Sequence, residues 1–397
     1  MNDSLSALQT PALLLDETRL AVNTQGFLAR ARQMGVSLRP HVKTAKSIQV
    51  AERACGASHG PITVSTLREA EAFTAAGFTD ILWAQSITPD KFARLFALPE
   101  TVTVVTDEPS VAADLARAAA LAGRDQPVLI EIDSGEHRSG LLPDDPRLIE
   151  IGRILAVNGE QRAGDRTPTD IGPDGSATRV GGSSGVRLQG VMTHAGHSYA
   201  ENTHEGMRRV AEAERMAAVS AGARLRAAGL PCPVVSVGSS PTFRFGEHFE
   251  GVTEVRAGVY VFFDLSQAMR NVCTRDEIAL TVLSTIIGHN RQAKRMLLDA
   301  GGLALSKDLG ASASGAPGYG ELLSLDGQTL GLAITTVYQE HGVVEVHDES
   351  VFDQLPVGTR VRILPNHACM TAAGGYEHYH LLRDGAIVAR WPRFNGW

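Results

Sequence analysis

A chain of 397 residues is too long for one small domain and within the span of one large α/β barrel with a smaller domain attached. Apolar residues make up 43% of it and charged residues 20%, a balance that excludes disorder as its overall state. A formal net charge of −7 and a pI near 6.0 exclude a broad basic surface, so nucleic acid and anionic membrane are poor partners and a small metabolite is a better one.

In chain order, Met1 to Thr10 has no basic stretch followed by an apolar core, and no later run is long enough to span a bilayer. The four cysteines, Cys55, Cys232, Cys273 and Cys369, are scattered and form no CxxC, which fits reduced thiols in a cytoplasm. Ala12 to Leu15 predicts a short strand, and Asp16 a cap for a helix over Leu20 to Met34. Short apolar segments then alternate with Ala-rich amphipathic stretches. The predicted strands are Val36 to Lys43, Ile62 to Val64, Asp80 to Ala84, Val102 to Thr106, Val128 to Asp133, Leu188 to Thr193 and Val234 to Val237. The predicted helices include Leu67 to Ala76, Ser110 to Ala122 and Gly206 to Ala228. This βα repetition predicts a (β/α)8 barrel over 11–270, with a long exposed loop at about 158–187 that has no assigned role. From 271 to 397 the texture turns to β, with strands expected at Ala279 to Ile287, Met296 to Asp299, Gly342 to Val346 and Arg360 to Leu364. The N-terminal strand is expected to join this second domain.

Five segments carry the chemistry. In Arg39-Pro40-His41-Val42-Lys43-Thr44 a lysine follows the first barrel strand, where side chains face the mouth and a partly desolvated amine among cations can form a Schiff base. Glu131 to Gly140 places Arg138 in a loop after a later strand, where it can hydrogen-bond an anionic oxygen. Thr193-His194-Ala195-Gly196-His197-Ser198-Tyr199 offers His194 and Tyr199 to an aromatic ring. Gly238, Ser239, Gly258 and Tyr260 belong to small and hydroxylated turns after late strands, which suit a phosphate. In Asn366-His367-Ala368-Cys369, positions i and i+2 of an extended segment face one way, so His367 and Cys369 can share a divalent metal and leave it open positions. Gln339, Glu340 and His341 are read either as neighbours of that metal or as an ordinary polar loop.

Together these segments resemble the D-serine dehydratase and D-threonine aldolase family, whose members have the alanine-racemase-like fold: a pyridoxal phosphate (PLP) barrel followed by a β domain. The resemblance runs from Thr10-Pro11-Ala12 to Asn395-Gly396-Trp397, leaving out the insertion. It implies PLP on Lys43, with Arg138, His194, Tyr199, Gly238, Ser239, Gly258 and Tyr260 as cofactor contacts. It implies a metal, one of Zn, Mn, Co or Mg, on His367 and Cys369. The histidine-alanine-cysteine motif resembles the dehydratase branch, since the aldolases usually have aspartate where Cys369 stands. The implied reaction is a lyase step turning a D-3-hydroxy amino acid, D-serine or D-threo-3-hydroxyaspartate, into a 2-oxo acid and ammonia, in a homodimer. The rivals are retro-aldol cleavage to glycine and an aldehyde, racemisation, and a PLP-carrying protein without turnover. Ala45 departs from the pattern, because many relatives have a histidine there.

Overall fold

The computed structural model describes residues 5–164, 185–309 and 318–397. Its first sheet has eight parallel strands, which in spatial order are Ser37–Leu38, Glu254–Val255, Val234–Val237, Gly185–Thr193, Asp125–Ile132, Val102–Thr106, Ile81–Ser86 and Ile62–Val64. The ring closes where Thr63 bonds both sides of His41, donating to Pro40 O and accepting from Val42 N, each at 2.8 Å. The strands are apolar runs because both faces are covered: Ile62, Val64, Ile81, Val104, Val128, Ile130 and Val191 are fully buried. Helices fill the connections, and the one over Glu17–Met34 begins where Asp16 accepts the N–H of Arg19 at 2.9 Å.

The second sheet is antiparallel apart from one pair. Its nine strands follow the order Arg295–Leu298, Gly342–Glu345, Thr329–Val337, Gly320–Leu323, Arg360–Pro365, Leu280–Asn290, Ala12–Asp16, His378–Arg383 and Ala386–Pro392. A further pairing of Arg295–Leu298 with Leu280–Asn290 bends part of it into a ring. Strand Ala12–Asp16 lies inside this sheet, antiparallel to Leu280–Asn290 and parallel to His378–Arg383. Among the described residues no helix is long and apolar enough to cross a membrane.

Three expectations need correction. The strand predicted over Val36 to Lys43 is regular only at Ser37–Leu38. Pro40 has no N–H to continue the ladder, and after His41 the chain curls so that Ala45 N and Lys46 N both donate to Val42 O. The loop predicted at 158–187 is helix at its start and strand at its end. The helix Arg147–Gly164 buries Leu148, Ile151 and Leu155 and propagates past its last apolar turn, and the strand Gly185–Thr193 pairs in parallel with Asp125–Ile132. Residues 165–184 of that expectation lie outside the described ones. An eighth barrel strand, Glu254–Val255, was not predicted, because two residues carry no periodicity.

Candidate active site

Every segment singled out after a barrel strand opens on the same end of the barrel. One cavity of ≈ 690 Å3 is lined by Lys43, Thr44, Lys46, His194, Tyr199, Ser239, Gly258 and Val259 from the barrel side, and by Asp308, His367 and Cys369 from the other domain. A second of ≈ 450 Å3 adjoins it deeper in the mouth, where Glu131, Arg138, Ser139 and Gly238 line it. His41, Lys43, Ser65, His194 and Arg256 line both. Lys43 is exposed in the turn that follows Pro40, while Val42 and Thr44 on either side of it are buried.

Buried charge sets the electrostatics of this mouth. Arg256 is 4% exposed and donates to Ser236 Oγ and to Thr193 O, each at 2.5 Å, with Glu254, Glu214 and Glu131 around it. Burial lowers the guanidinium from its ordinary value, and the three carboxylates oppose that shift. Glu131 sits above the usual carboxylate range because it is buried, and it accepts from Ser139 Oγ at 2.9 Å. Arg138 reaches toward it at 4.0 Å and toward Glu136 at 3.7 Å, with its side chain half exposed. Burial, with the charges of Lys43 and Arg256, holds His41 far below its ordinary value. Burial and the Lys43 charge likewise push His194 down to about 3. Its Nδ1 then carries the proton that bonds Gly238 O at 3.1 Å.

His367 is the N-cap of the short helix Ala368–Ala372 that follows strand Arg360–Pro365, and Cys369 lies in that helix, so the extended segment expected to carry the pair ends at His367. His367 Nδ1 bonds Asp308 Oδ2 at 2.5 Å. The Cys369 side chain stands close enough to the imidazole for each group to act on the other's charge. Burial opposes the charged form of both groups. Asp308 and Cys369 nevertheless raise His367 to about 11, and His367, Lys43 and Thr44 bring the Cys369 thiol below its ordinary value. An imidazole oriented by a neighbouring carboxylate, with a cysteine sulfur close by, is a donor set suited to a divalent metal. Among the described residues no three His, Cys, Asp or Glu side chains are arranged to hold an ion.

Of the predicted contacts, Tyr260 lies outside both cavities, and Gly238 lines one of them with its N–H already bonded. Tyr260 is fully buried, stacks on Phe27 at 4.1 Å between centroids and directs its hydroxyl toward Ala54 O, while its N–H donates to Ser240 Oγ at 3.1 Å. It belongs to the core because Phe27 and Phe243 make an aromatic pocket for it. The Gly238 N–H is also taken, by Glu214 Oε1 at 3.0 Å. Glycine is needed there because φ is +125° and a Cβ would meet Arg256 N at 2.8 Å. Gln339, Glu340 and His341 are exposed and line neither cavity. Sequence reasoning missed Arg256, Glu131 and Glu214. Only Glu131 carried a signal, a single charge in the otherwise apolar run Val128 to Ile132.

The family model described as "Alanine racemase, N-terminal domain" matches residues 15–158 and 158–266, and that described as "Putative serine dehydratase domain" matches 279–382. The chain is 44% identical to D-threo-3-hydroxyaspartate dehydratase of Delftia sp. (strain HT23) over 413 residues, covering 100% of both chains. It is 28% identical to D-serine dehydratase of Dictyostelium discoideum, over 98% of this chain and 97% of that one. The solved structure of D-threo-3-hydroxyaspartate dehydratase from Delftia sp. HT23 superimposes with a TM-score of 0.88 at 42% identity, over 100% of each chain.

Proposed function

Because the chain belongs to the D-serine dehydratase-like family of alanine-racemase-fold proteins, we propose that it dehydrates a small D-3-hydroxy amino acid, D-threo-3-hydroxyaspartate, to a 2-oxo acid and ammonia, using PLP and a divalent metal. The observation that carries this reading is that Lys43 from the barrel and the His367 and Cys369 pair from the other sheet line one cavity. Lys43 Nζ would hold PLP, Ser239, Gly258 and Val259 its phosphate, Arg138 its ring hydroxyl, and His194 and Tyr199 its ring. His367 and Cys369 would hold the metal, and their nitrogen and sulfur favour zinc over harder ions. Bound there, PLP takes up the negative charge left at Cα and the metal polarises the β-hydroxyl as a Lewis acid.

The chain's own residues divide the remaining work. Lys43 Nζ is the base that takes the Cα proton. His41 and His194, held neutral beside it, do not compete for that proton. The β-hydroxyl leaves on the side of the cavity where His367 and Cys369 stand. Lys46, which is paired with Glu69 at 3.2 Å, and Arg270 also line the cavity and would bring positive charge to the substrate carboxylates.

The four cysteines are free thiols, which supports a cytoplasmic setting. Exposed Leu303 and Tyr338 lie on segments joined by backbone bonds, exposed Met370 lines the cavity, and such apolar side chains support a homodimer. Light scattering tests that assembly.

The test of function is release of ammonia and 2-oxo acid from the PLP-loaded protein given D-threo-3-hydroxyaspartate and D-serine separately, with and without a chelator. Chelator-sensitive release from hydroxyaspartate is the expected result. Glycine from D-threonine with no ammonia would mean aldol cleavage, and no turnover of any D-3-hydroxy acid would overturn the reading.

A further inference from the structure

Thr44 follows the candidate cofactor lysine directly and is fully buried, and its Oγ1 lies 3.0 Å from Cys369 Sγ. The hydroxyl comes from the first βα turn of the barrel and the sulfur from the short helix Ala368–Ala372 after strand Arg360–Pro365. Thr44 has little freedom to move. A β-branched side chain has few rotamers, and the turn that carries it is gripped from the other domain, where Tyr379 Oη and Arg393 Nε donate to Ala45 O and Phe394 N donates to Lys46 O. The sulfur's own segment is equally fixed, because Asp264 Oδ2 accepts the N–H of Ala368, between the two candidate ligands, at 2.9 Å. His367 has its outer partner in Asp308. The outer partner of Cys369 is Thr44.

We infer that Thr44 is a positioning residue for the metal, donating a hydrogen bond to the Cys369 thiolate and thereby joining the metal site to the cofactor lysine. The inference rests on the metal reading given above. A hydroxyl on the thiolate fixes the direction of its lone pairs and draws charge from the sulfur. Removing the hydroxyl leaves the ligand less well oriented and more electron-rich. Outer partners of metal ligands typically contribute about 10–100-fold to metal affinity.

Cobalt(II) is the probe, since a thiolate bound to it gives a charge-transfer band in the difference spectrum between cobalt-loaded and metal-free holoprotein. In Thr44→Val, which keeps the shape and loses the hydroxyl, cobalt affinity by chelator competition should fall about tenfold or more. The band should move to longer wavelength, and Thr44→Ser should restore both, with the visible absorbance of bound PLP unchanged throughout. Cobalt affinity within twofold of wild type together with an unmoved band in Thr44→Val would overturn the inference. So would loss of PLP absorbance in both variants, which would make Thr44 a residue of the fold alone. If the wild type gives no thiolate band, or Cys369→Ala keeps it, the metal reading itself fails and this inference falls with it.

Discussion

Two imidazoles flank the Lys43 amine without sharing its charge, and their neutrality has a consequence for stability. In the unfolded chain each histidine takes a proton near pH 6.5, whereas in the folded protein His194 resists one down to about 3 and His41 resists it as well. The stability linked to them is therefore complete above about pH 6.5 and is lost as pH falls toward 3. For His194 alone this amounts to about 1–2 kcal/mol at pH 5. Thermal melting of the PLP-free protein from pH 8 to 5 should show the decline, and His194→Asn should flatten it in part. Lys43→Ala should lose the visible absorbance of bound PLP and nearly all turnover, which a spectrum and a rate check together. His367→Ala should lose turnover and keep that absorbance. At this scale Lys43, His367 and Cys369 were legible because their neighbours in sequence form short motifs. Arg256 and Glu214 were not, because their meaning comes from partners on other strands: Thr193 and Ser236 for the first, Ala195 and Gly238 for the second.

Between residue and domain, the helix His204–Ala227 does more than cover the barrel. From its buried face Glu214 Oε1 accepts the N–H of Ala195 at 2.9 Å and that of Gly238 at 3.0 Å, so one oxygen ties the ends of two adjacent strands. Glu214→Gln keeps an oxygen for both bonds and should fold and bind PLP nearly as well as wild type. Glu214→Ala leaves two buried N–H groups unpaired and should lower the unfolding free energy by roughly 3 kcal/mol in a denaturant titration, with weaker PLP binding. Gly258→Ala tests the turn from the other side, since its Cβ would meet His41 O at 3.0 Å and His41 Cβ at 3.1 Å and press on the lysine turn. Weaker PLP retention on dialysis is expected. Long helices and apolar strands were legible because their periodicity repeats. The strands His378–Arg383 and Ala386–Pro392 were not, because they mix buried Tyr379, Leu381 and Trp391 with exposed Arg383, Val388 and Arg390 at a sheet edge.

For the whole molecule, the barrel and the second sheet depend on each other. The last strands hold Ala12–Asp16 on one side, and through Tyr379, Arg393 and Phe394 they hold the carbonyls of the lysine turn on the other. A chain ending at Tyr376 should therefore fail to retain PLP, although Lys43, Ser239 and Gly258 are all still present. Gel filtration with absorbance detection checks this, and retained PLP would show that the barrel holds it unaided. The barrel's parallel order and the β character of the second half could be read from the chain. The place of the N-terminal strand inside the second sheet follows from pairings that no local pattern encodes. It also bears on how the protein is made. Leu13 leaves the ribosome well before its partners Val282 and Tyr379, which follow it at a long distance along the chain. Until they are made, Leu13, Leu14 and Leu15 have no sheet to enter, so the nascent chain carries an apolar strand with unpaired edges.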